Sequence, residues 1–249
     1  MLTENRRNLI LNEVNKRKSV TTQELMEIAG ASESTIRRDI TYLNKTGLLV
    51  KVFGGAVALD KSAFALELSV LDKESINKEE KIKIAKKAAA MIQPGDYIYI
   101  DSGTTTEYMI PFINEKQATY VTNAVTHARD LVRKGLKVLL IGGELKENTE
   151  AIVGADAILH IQKYHFSKGF FGTNGINMNQ GFTTPDVREA LVKRVAVENT
   201  RFGQRYILAD YDKFGESLAV KFADFAGSVV ITNKDPGDLY KNVMEIIVA

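Results

Sequence analysis

The chain has 249 residues, of which 45% are hydrophobic and 26% charged, with no cysteine, three histidines and a formal net charge of +2. This length predicts one large domain or two unequal ones with a sizeable core. The lack of cysteine excludes disulfides, cysteine-ligated zinc, iron–sulfur clusters and thiol catalysis. Because no apolar run has the length of a signal peptide or a membrane span, we expect a cytoplasmic protein with no membrane contact.

The charge is unevenly distributed along the chain. Residues 1–57 hold nine basic and six acidic side chains, whereas the remainder holds 24 basic and 25 acidic ones. The basic surplus therefore lies entirely in the first quarter, which indicates a polyanionic partner at that end.

The same first quarter predicts three short helices and a β-hairpin. Apolar residues recur at helical spacing from Asn5 to Lys16, the Thr pair at 21–22 can cap a second helix, and Ser32 can cap a third. The segment LLVKVFGGAVAL alternates and turns on Gly54-Gly55, as a small hairpin does. Together these elements predict a winged helix-turn-helix over residues 1–57.

The third helix has the pattern of a recognition helix. Ile36, Ile40 and Leu43 form an inward stripe, so the polar residues between them face outward and can enter a major groove. Arginine binds guanine edges or phosphate, and Ser and Thr suit phosphates. The candidate DNA-binding residues of helix and wing are Ser34, Thr35, Arg37, Arg38, Tyr42, Lys51, Gly54 and Gly55. A solvated amphipathic helix in a protein–protein module is the alternative.

After a connector at 58–77, residues 78–249 alternate between apolar runs and helical stretches. Strands are predicted at 97–101, 119–123, 137–143, 169–172, 206–210 and 228–232. Helices are predicted at 78–92, 105–113, 124–133, 151–160, 186–199 and 236–245. Apolar strands separated by helices indicate an α/β domain with a mostly parallel sheet.

Small and polar residues follow several of these strands. The segment DSGTTT at 101–106 follows a strand and opens a helix, so its N–H groups and hydroxyls can surround a phosphate. It is neither a Walker loop nor GxGxxG, which favours a phosphorylated metabolite over a nucleotide. Parallel strand ends meet at one edge, which is where such sheets bind ligands. The effector-binding candidates are Asp101, Ser102, Gly103, Thr104, Thr105, Thr106, Asn123, Gly142, Gly143, Gly172, Asn174, Gly175, Asp210 and Lys213. For each of them an ordinary turn or helix cap is the alternative.

One charged helix is ambiguous. Glu189 and Lys193 have the i, i+4 spacing of a helical ion pair, which suits a solvated face. The sequence leaves open whether the two side chains face the pocket. No metal-binding spacing links the three histidines, so we expect no metal site and interpret them as packing or surface residues: His127, His160 and His165.

The motifs together resemble a known family. The stretch SESTIRRDITYLNKTGLLVKVFGGAV resembles the N-terminal signature of the DeoR family of bacterial transcriptional regulators. IDSGTTT, VTNA, IGGEL, GTNGI, REALVKR and ADYDKFG resemble its effector domain, in the same order. The resemblance covers nearly the whole chain and implies a winged-helix domain and a sugar-phosphate sensor related in fold to ribose-5-phosphate isomerase. Two positions depart from the family pattern: Phe53 replaces a common His before the Gly pair, and an acidic residue near Ser167-Lys168 is absent.

Three functions remain open. The resemblance implies a repressor of a sugar-utilisation operon, without a cofactor, that binds operator DNA as a homo-oligomer (a dimer or tetramer) and is released by a phosphorylated sugar. MLTENRRNLIL and ASESTIRRDI resemble fructose-operon repressors of Gram-positive bacteria, which makes fructose 1-phosphate the first effector to test. The alternatives are a sugar-phosphate isomerase-like enzyme fused to a winged helix, which needs a carboxylate base, and an interaction protein with a vestigial pocket.

Overall fold

The structure, a computed structural model, describes residues 3–17, 19–46, 48–52, 54–58 and 76–249. It divides into two compact units, Met1–Ala63 and Phe64–Ala249. The predicted connector at 58–77 lies mostly outside the described residues, and the predicted domain boundaries stay predictions.

The first unit contains three helices and three short strands. They are α1 (Thr3–Arg17), β1 (Ser19–Thr21), α2 (Thr22–Ala29), α3 (Glu33–Lys45), β2 (Val50–Val52) and β3 (Gly55–Val57). The strands form an antiparallel sheet in the order β1-β3-β2. The hairpin of β2 and β3 is the predicted wing, whereas β1 carries no sequence signal of its own because it is only three residues long.

Local chemistry explains where α2 and α3 begin. The Thr21 hydroxyl accepts from the Glu24 N–H, and the Glu24 carboxylate accepts from the Thr21 N–H at 2.8 Å, which is a capping box. Ser32 is the N-cap of α3 as predicted, although its hydroxyl contacts that of Thr35 at 2.9 Å instead of a backbone N–H. The helices pack around a small apolar core that includes Ile10, Val14, Leu25, Ile36, Ile40 and Leu43.

The second unit alternates strands and helices. In chain order it contains α4 (Lys78–Ala89), β4 (Tyr97–Ile100), α5 (Thr104–Glu107), a 3₁₀ turn (Ile110–Phe112), β5 (Thr119–Thr122), α6 (Val125–Arg133), β6 (Lys137–Leu140), β7 (Glu144–Leu145), β8 (Ile152–Val153), α7 (Ala155–Ile161), β9 (Lys168–Gly172), β10 (Gly175–Asn177), β11 (Gly181–Thr184), α8 (Val187–Glu198), β12 (Arg205–Leu208), a 3₁₀ turn (Tyr211–Lys213), β13 (Val220–Ala223), β14 (Ser228–Thr232), α9 (Asp238–Lys241) and β15 (Glu245–Val248).

A seven-stranded parallel sheet is the centre of this unit. Its strand order is β15-β14-β12-β9-β4-β5-β6, and each neighbouring pair runs parallel. The predicted α/β class with a mostly parallel sheet is therefore confirmed. Two smaller antiparallel sheets, β10-β11-β13 and β7-β8, follow strand ends of the main sheet.

The sheet is covered on both faces, which explains why its strands are continuous apolar runs. One face carries Ile98, Ile100 and Phe170 and packs on apolar residues of α4 and α6. The other carries Tyr99 and Phe171 and packs on α7, α8 and the β10-β11-β13 sheet.

Three of the predicted helices are wrong in part. The prediction at 105–113 gives only α5 and a 3₁₀ turn, because Pro111 has no N–H to continue a helix. The prediction at 151–160 begins with β8, and Gly154 at φ +95° separates that strand from α7. The helix predicted at 236–245 is only the four-residue α9 in the structure. From Glu245 the chain forms β15, which pairs with β14 and extends the sheet.

Candidate functional site

The polar face of α3 is the first candidate site. Ile36, Ile40 and Leu43 are buried, whereas Ser34, Arg37 and Arg38 are exposed. Tyr42 is 47% exposed and Thr35 is half-buried. The structure therefore places the predicted helix residues along one outward surface, as a recognition helix requires.

Two of the predicted cations have protein partners beside this surface. Arg37 forms an i, i+4 ion pair with Glu33 at 2.5 Å, and both side chains are more than half exposed. Such an exposed pair is weak, so Arg37 can exchange it for a phosphate or a base. Lys51 of the wing donates from Nζ to the Thr41 hydroxyl at 3.0 Å and from its backbone to Asn44 Oδ1 at 2.8 Å. These contacts attach the wing to one flank of α3.

The two predicted wing glycines differ in their surroundings. Gly54 is exposed and adopts φ +83°, which favours glycine, and its carbonyl accepts from the Thr22 N–H at 2.8 Å. Gly55 is buried, and a Cβ there would lie 2.3 Å from the Val20 carbonyl oxygen. The close approach of β1 therefore explains Gly55 without DNA. Phe53 lies outside the described residues.

An acidic residue on α3, which the sequence pattern did not indicate, holds two arginines of α1. Asp39 is 2% exposed. Its Oδ2 accepts from Arg6 Nε at 2.6 Å and its Oδ1 from Arg7 Nε at 2.9 Å. The Arg7 guanidinium also lies 3.6 Å from the centre of the Tyr42 ring. Position 39 falls next to the apolar stripe, so only the packing of α1 on α3 reveals this cluster.

The carboxyl ends of the central strands form the second candidate site. Asp101, directly after β4, is fully buried. Its Oδ2 accepts from the N–H of Gly172 at 3.0 Å and forms an ion pair with Lys193 of α8. Lys193 Nζ also donates to the Gly172 carbonyl at 3.2 Å. The ends of β4 and β9 and one charged side chain of α8 therefore meet at a single buried point.

Glu189, one turn earlier on α8, extends this charged cluster. It is 7% exposed, and its Oε1 accepts from Lys146 Nζ at 3.1 Å and from the Thr149 hydroxyl at 2.6 Å. Lys146 also forms an ion pair with Asp186 at 2.9 Å. Glu189 and Lys193 are both buried, so they do not lie on a solvated helix face.

The pKa values of the two buried carboxyl groups, Asp101 and Glu189, shift in opposite directions. Burial raises the pKa of Asp101, although Lys193 and the Gly172 N–H act against it. Burial also opposes ionisation of Glu189, but Lys193, Thr149 and Lys146 together hold the pKa of Glu189 below its usual value. Asp101 Oδ1 is buried and has no hydrogen-bond partner among the described residues. This unpartnered oxygen can accept a hydrogen bond from a ligand hydroxyl.

The loop at 101–106 contains both internal and accessible groups. Thr106 is fully buried, and its hydroxyl donates to the Asp101 carbonyl at 2.6 Å. The Thr104 hydroxyl accepts from the buried Lys81 Nζ at 3.1 Å. Ser102, Gly103 and Thr105 are half-buried. The partly accessible residues of the loop therefore alternate with buried ones, and the buried Lys81 lies beside Thr104.

The Asn123 side chain joins three elements near this loop. Its Oδ1 accepts from the Tyr99 hydroxyl at 3.0 Å and from the Ser102 N–H at 3.1 Å. Its Nδ2 donates to the Ile152 carbonyl at 3.1 Å. Asn123 is 2% exposed, so these contacts describe a residue that fixes the position of the loop.

Several predicted residues have structural partners that account for them. A Cβ at Gly175 would lie 2.6 Å from the Glu216 carbonyl oxygen, and one at Gly143 would lie 2.7 Å from that of Val153. The Gly142 N–H donates to His160 Nδ1 at 3.1 Å. These three glycines are thus explained by close packing and a hydrogen bond.

The ends of β9 and β12 contribute the remaining predicted residues. Asn174 is half-buried and accepts from the Thr184 hydroxyl at 3.1 Å. Asp210 is 2% exposed and accepts from Asn77 Nδ2 at 3.2 Å. Lys213 is half-buried. Since β12, β9, β4 and β5 are neighbours in the sheet, the predicted residues at their ends share one edge.

The sequence did not single out Lys81 and Lys146, which are both buried here. Lys81 precedes Ile84, Ala85 and Ala88 on the apolar face of α4, and this position was a usable signal. Lys146 follows a two-residue strand and had no such pattern. Within the described ranges, no helix has the length and hydrophobicity of a membrane span, and no cluster of His, Cys, Asp or Glu has the make-up of a metal site.

Both units match family models. Residues 6–62 match the DeoR-like helix-turn-helix domain, and residues 76–234 match the DeoR C terminal sensor domain. These matches and the relatives below describe transcriptional regulators and not enzymes.

Several curated proteins are similar over most of their length. The uncharacterized HTH-type transcriptional regulator FruR of Bacillus subtilis is 42% identical over 98% of this chain and 96% of its own. HTH-type transcriptional regulator IolR of B. subtilis is 32% identical over 88% of this chain and 86% of its own. The lactose phosphotransferase system repressor of Staphylococcus aureus is 34% identical over 84% of this chain and 83% of its own.

Two solved structures show weaker likeness. Ribose 5-phosphate isomerase A from Methanocaldococcus jannaschii is 12% identical over 55% of each chain, with a TM-score of 0.41. The sorbitol operon regulator SorC from Klebsiella pneumoniae is 12% identical over 84% of this chain and 92% of its own, with a TM-score of 0.38.

Proposed function

Because the chain belongs to the DeoR family of transcriptional regulators, we propose that it represses a sugar-utilisation operon and that a phosphorylated sugar releases it from DNA. The first unit binds operator DNA, and the carboxyl edge of the parallel sheet in the second unit binds the sugar phosphate. The protein works without a cofactor.

The outward face of α3 supports the DNA-binding part of the proposal. Ser34, Arg37 and Arg38 are exposed on a helix whose opposite side is buried, so they can enter a major groove together. The wing residue Lys51 lies beside this face, and Gly54 allows the tight turn next to it.

The observation that carries the effector part is the buried charged cluster at the strand ends. Asp101 has one carboxylate oxygen bound to Lys193 and Gly172, whereas the other is unpartnered at a fully buried position. An unsatisfied carboxylate oxygen costs free energy unless a donor reaches it, and sugar hydroxyls are such donors. We therefore assign a sugar hydroxyl to Asp101.

The phosphate is assigned to the accessible part of the loop at 101–106. Ser102, Gly103 and Thr105 present hydroxyl and backbone groups there, and Lys81 supplies a positive charge beside Thr104. Lys213, after β12, is a second cation that can neutralise a phosphate. The remaining predicted contacts at this edge are Thr106, Asn123, Gly142, Gly143, Gly172, Asn174, Gly175 and Asp210.

Fructose 1-phosphate is the first effector to test. Its support is the similarity to FruR, together with the sequence resemblance to fructose-operon repressors. The lactose phosphotransferase system repressor is a relative whose name also refers to a sugar. We propose a dimer or tetramer acting on two-fold symmetric operators, with the connector at 58–77 between the sensor and the DNA-binding unit.

A thermal-shift screen of phosphorylated hexoses and pentoses tests the sensor. A ligand that binds only the folded state raises stability by RT ln(1 + [L]/Kd), so a bound sugar phosphate must raise the Tm. Operator DNA is selected from a random duplex pool, and the same compound must then weaken its binding. Unphosphorylated sugars are the matched controls. If no sugar phosphate changes the Tm or the operator affinity, the sensor assignment is wrong.

A further inference from the structure

We infer that Arg7 of α1 contacts a DNA phosphate, and that Arg7 and Lys51 bracket the recognition helix α3 on its two flanks. The inference rests on the proposed binding of DNA through α3. It adds a phosphate-binding residue from α1, outside both the recognition helix and the wing.

Three contacts place the two cations on different flanks of α3. Lys51 Nζ lies 3.0 Å from the Thr41 hydroxyl, and the Lys51 N–H donates to Asn44. The Arg7 guanidinium lies 3.6 Å from the centre of the Tyr42 ring. At 100° per residue, position 42 falls on the other side of the outward face from positions 41 and 44. The two cations therefore lie on opposite sides of the exposed surface that contains Arg38.

The dimensions of DNA give this arrangement a function. The major groove is about 12 Å wide, and an α-helix with its side chains is about 10–12 Å across. A helix in the groove thus has a phosphate backbone along each flank. A cation on each flank can contact one backbone while α3 reads bases between them.

The two arginines at Asp39 carry more positive charge than the carboxylate neutralises. One carboxylate faces two guanidinium groups, so the three side chains together carry a net charge of +1. Asp39 accepts one hydrogen bond from the Nε of each arginine, and each guanidinium group has four further N–H donors. The Arg7 side chain is 28% exposed and the Arg6 side chain 13%. The surplus charge is thus most accessible at Arg7, beside the exposed ring of Tyr42.

Arg6 is a matched control because it has the same partner. If the two arginines only hold α1 against α3, Arg6→Gln and Arg7→Gln change DNA binding in the same way. If Arg7 also contacts a phosphate, only Arg7→Gln changes the number of counterions that DNA binding releases. A phosphate contact is independent of sequence, so a mixed-sequence duplex serves as the probe.

The experiment measures the affinity of the full chain for a fluorescein-labelled mixed-sequence duplex of about 30 base pairs, between about 50 and 200 mM salt. The plot of log K against log salt has a negative slope, and we expect Arg7→Gln to make this slope less steep by about 0.9. Its affinity deficit against the unaltered protein then shrinks about threefold over this range. Arg6→Gln keeps the original slope, and Arg7→Lys keeps the slope because it keeps the charge.

The outcomes separate this inference from the proposed function. Equal slopes for Arg7→Gln, Arg6→Gln and the unaltered protein would overturn the assignment of Arg7, while Arg38→Gln still weakens binding. If the unaltered protein binds neither the mixed-sequence duplex nor any selected duplex, the proposed DNA binding itself is wrong. Thermal unfolding of each variant identifies a loss of folding, and the slope is measured on folded protein at a temperature below every Tm.

Discussion

Replacement of Lys193 by methionine tests the buried cluster most directly. Lys193 is 4% exposed, and its ammonium group is the cation that contacts the fully buried Asp101. Methionine has a similar length and no charge, so Lys193→Met leaves a carboxylate buried without its cation. Breaking a buried ion pair in this way costs about 3–5 kcal/mol of unfolding free energy. Glu189 also loses the attraction of Lys193 but keeps its hydrogen bonds to Lys146 and Thr149, so most of the loss arises at Asp101.

The pH dependence gives the prediction its sign. Burial already raises the pKa of Asp101, and removal of Lys193 raises it further. When the folded pKa of an acid exceeds its unfolded value, the folded state binds more protons and stability falls as the pH rises through that range. The cost of Lys193→Met is therefore largest near neutral pH and decreases on acidification. Asp101→Asn combined with Lys193→Met removes the buried charge, and this double variant is more stable than Lys193→Met alone.

Urea unfolding followed by far-ultraviolet circular dichroism measures these free energies, and hydrogen exchange of the β4 and β9 amides assigns the loss to the second unit. Lys168→Met is the matched control, because Lys168 is also buried and pairs with Asp96 at 2.6 Å, at the opposite end of β9. Both variants lose stability, but only Lys193→Met loses the Tm shift caused by the effector. A Lys193→Met protein as stable at pH 7 as the unaltered one, or no gain from Asp101→Asn, would refute the reasoning.

Three further variants test separate parts of the molecule. Arg37→Ala weakens operator binding, because the exposed ion pair of Arg37 with Glu33 is weak and can be exchanged for a contact with DNA. The same variant leaves the effector-induced Tm shift intact. An unchanged operator affinity removes Arg37 from the site. Lys213→Ala leaves operator binding intact and reduces release by the effector in a gel-shift titration; normal release makes Lys213 a surface lysine. Burial lowers the pKa of His127 from 6.5 to about 4, so the unfolded chain binds the extra proton and stability falls by about 3 kcal/mol as the pH drops through that interval. His127→Gln flattens this part of the plot of unfolding free energy against pH, as measured by urea denaturation. An unchanged plot contradicts the assignment of this pH dependence to His127.

The sequence predicted the strands in the middle of the sheet well because they are apolar runs buried on both faces, as β4, β5, β9, β12 and β14 show. The run at 228–232 is the strand β14, and the runs at 97–101 and 119–123 each end one residue beyond their strand. The antiparallel strands of the second unit were missed, because two to four residues with mixed polarity do not make a detectable alternation. The final strand β15 was missed, and the helix predicted at 236–245 overlaps only its first residue; the pairing with β14 identifies this segment as a strand.

In the candidate sites, too, the residues that could be predicted are those with a local sequence signal, and the residues that were missed depend on tertiary contacts. Asp101 and Asn123 were predicted because they directly follow apolar strands, and a parallel sheet brings such positions together. The i, i+4 pair Glu189 and Lys193 has the pattern of a solvated helix face, so its burial could not be predicted from spacing alone. Asp39 also depends on tertiary structure, because its two partners lie about 30 residues away on another helix.

The two buried lysine–aspartate pairs at the ends of β9 differ in a way that separates structure from function. Asp96 is fully satisfied: Oδ2 accepts from Lys168 at 2.6 Å and from the Gln93 N–H at 2.8 Å, and Oδ1 accepts from Ser167 at 2.8 Å. Although burial opposes ionisation, these donors hold the pKa of Asp96 below its usual value. Asp101 has donors on one oxygen only, and burial raises its pKa. A pair with every group satisfied stabilises the fold and offers nothing to a ligand, whereas Asp101 has an acceptor that a ligand can complete. The carboxyl edge of the sheet is therefore the edge that we propose for sensing, whereas the Lys168–Asp96 pair at the opposite edge is explained by the fold alone.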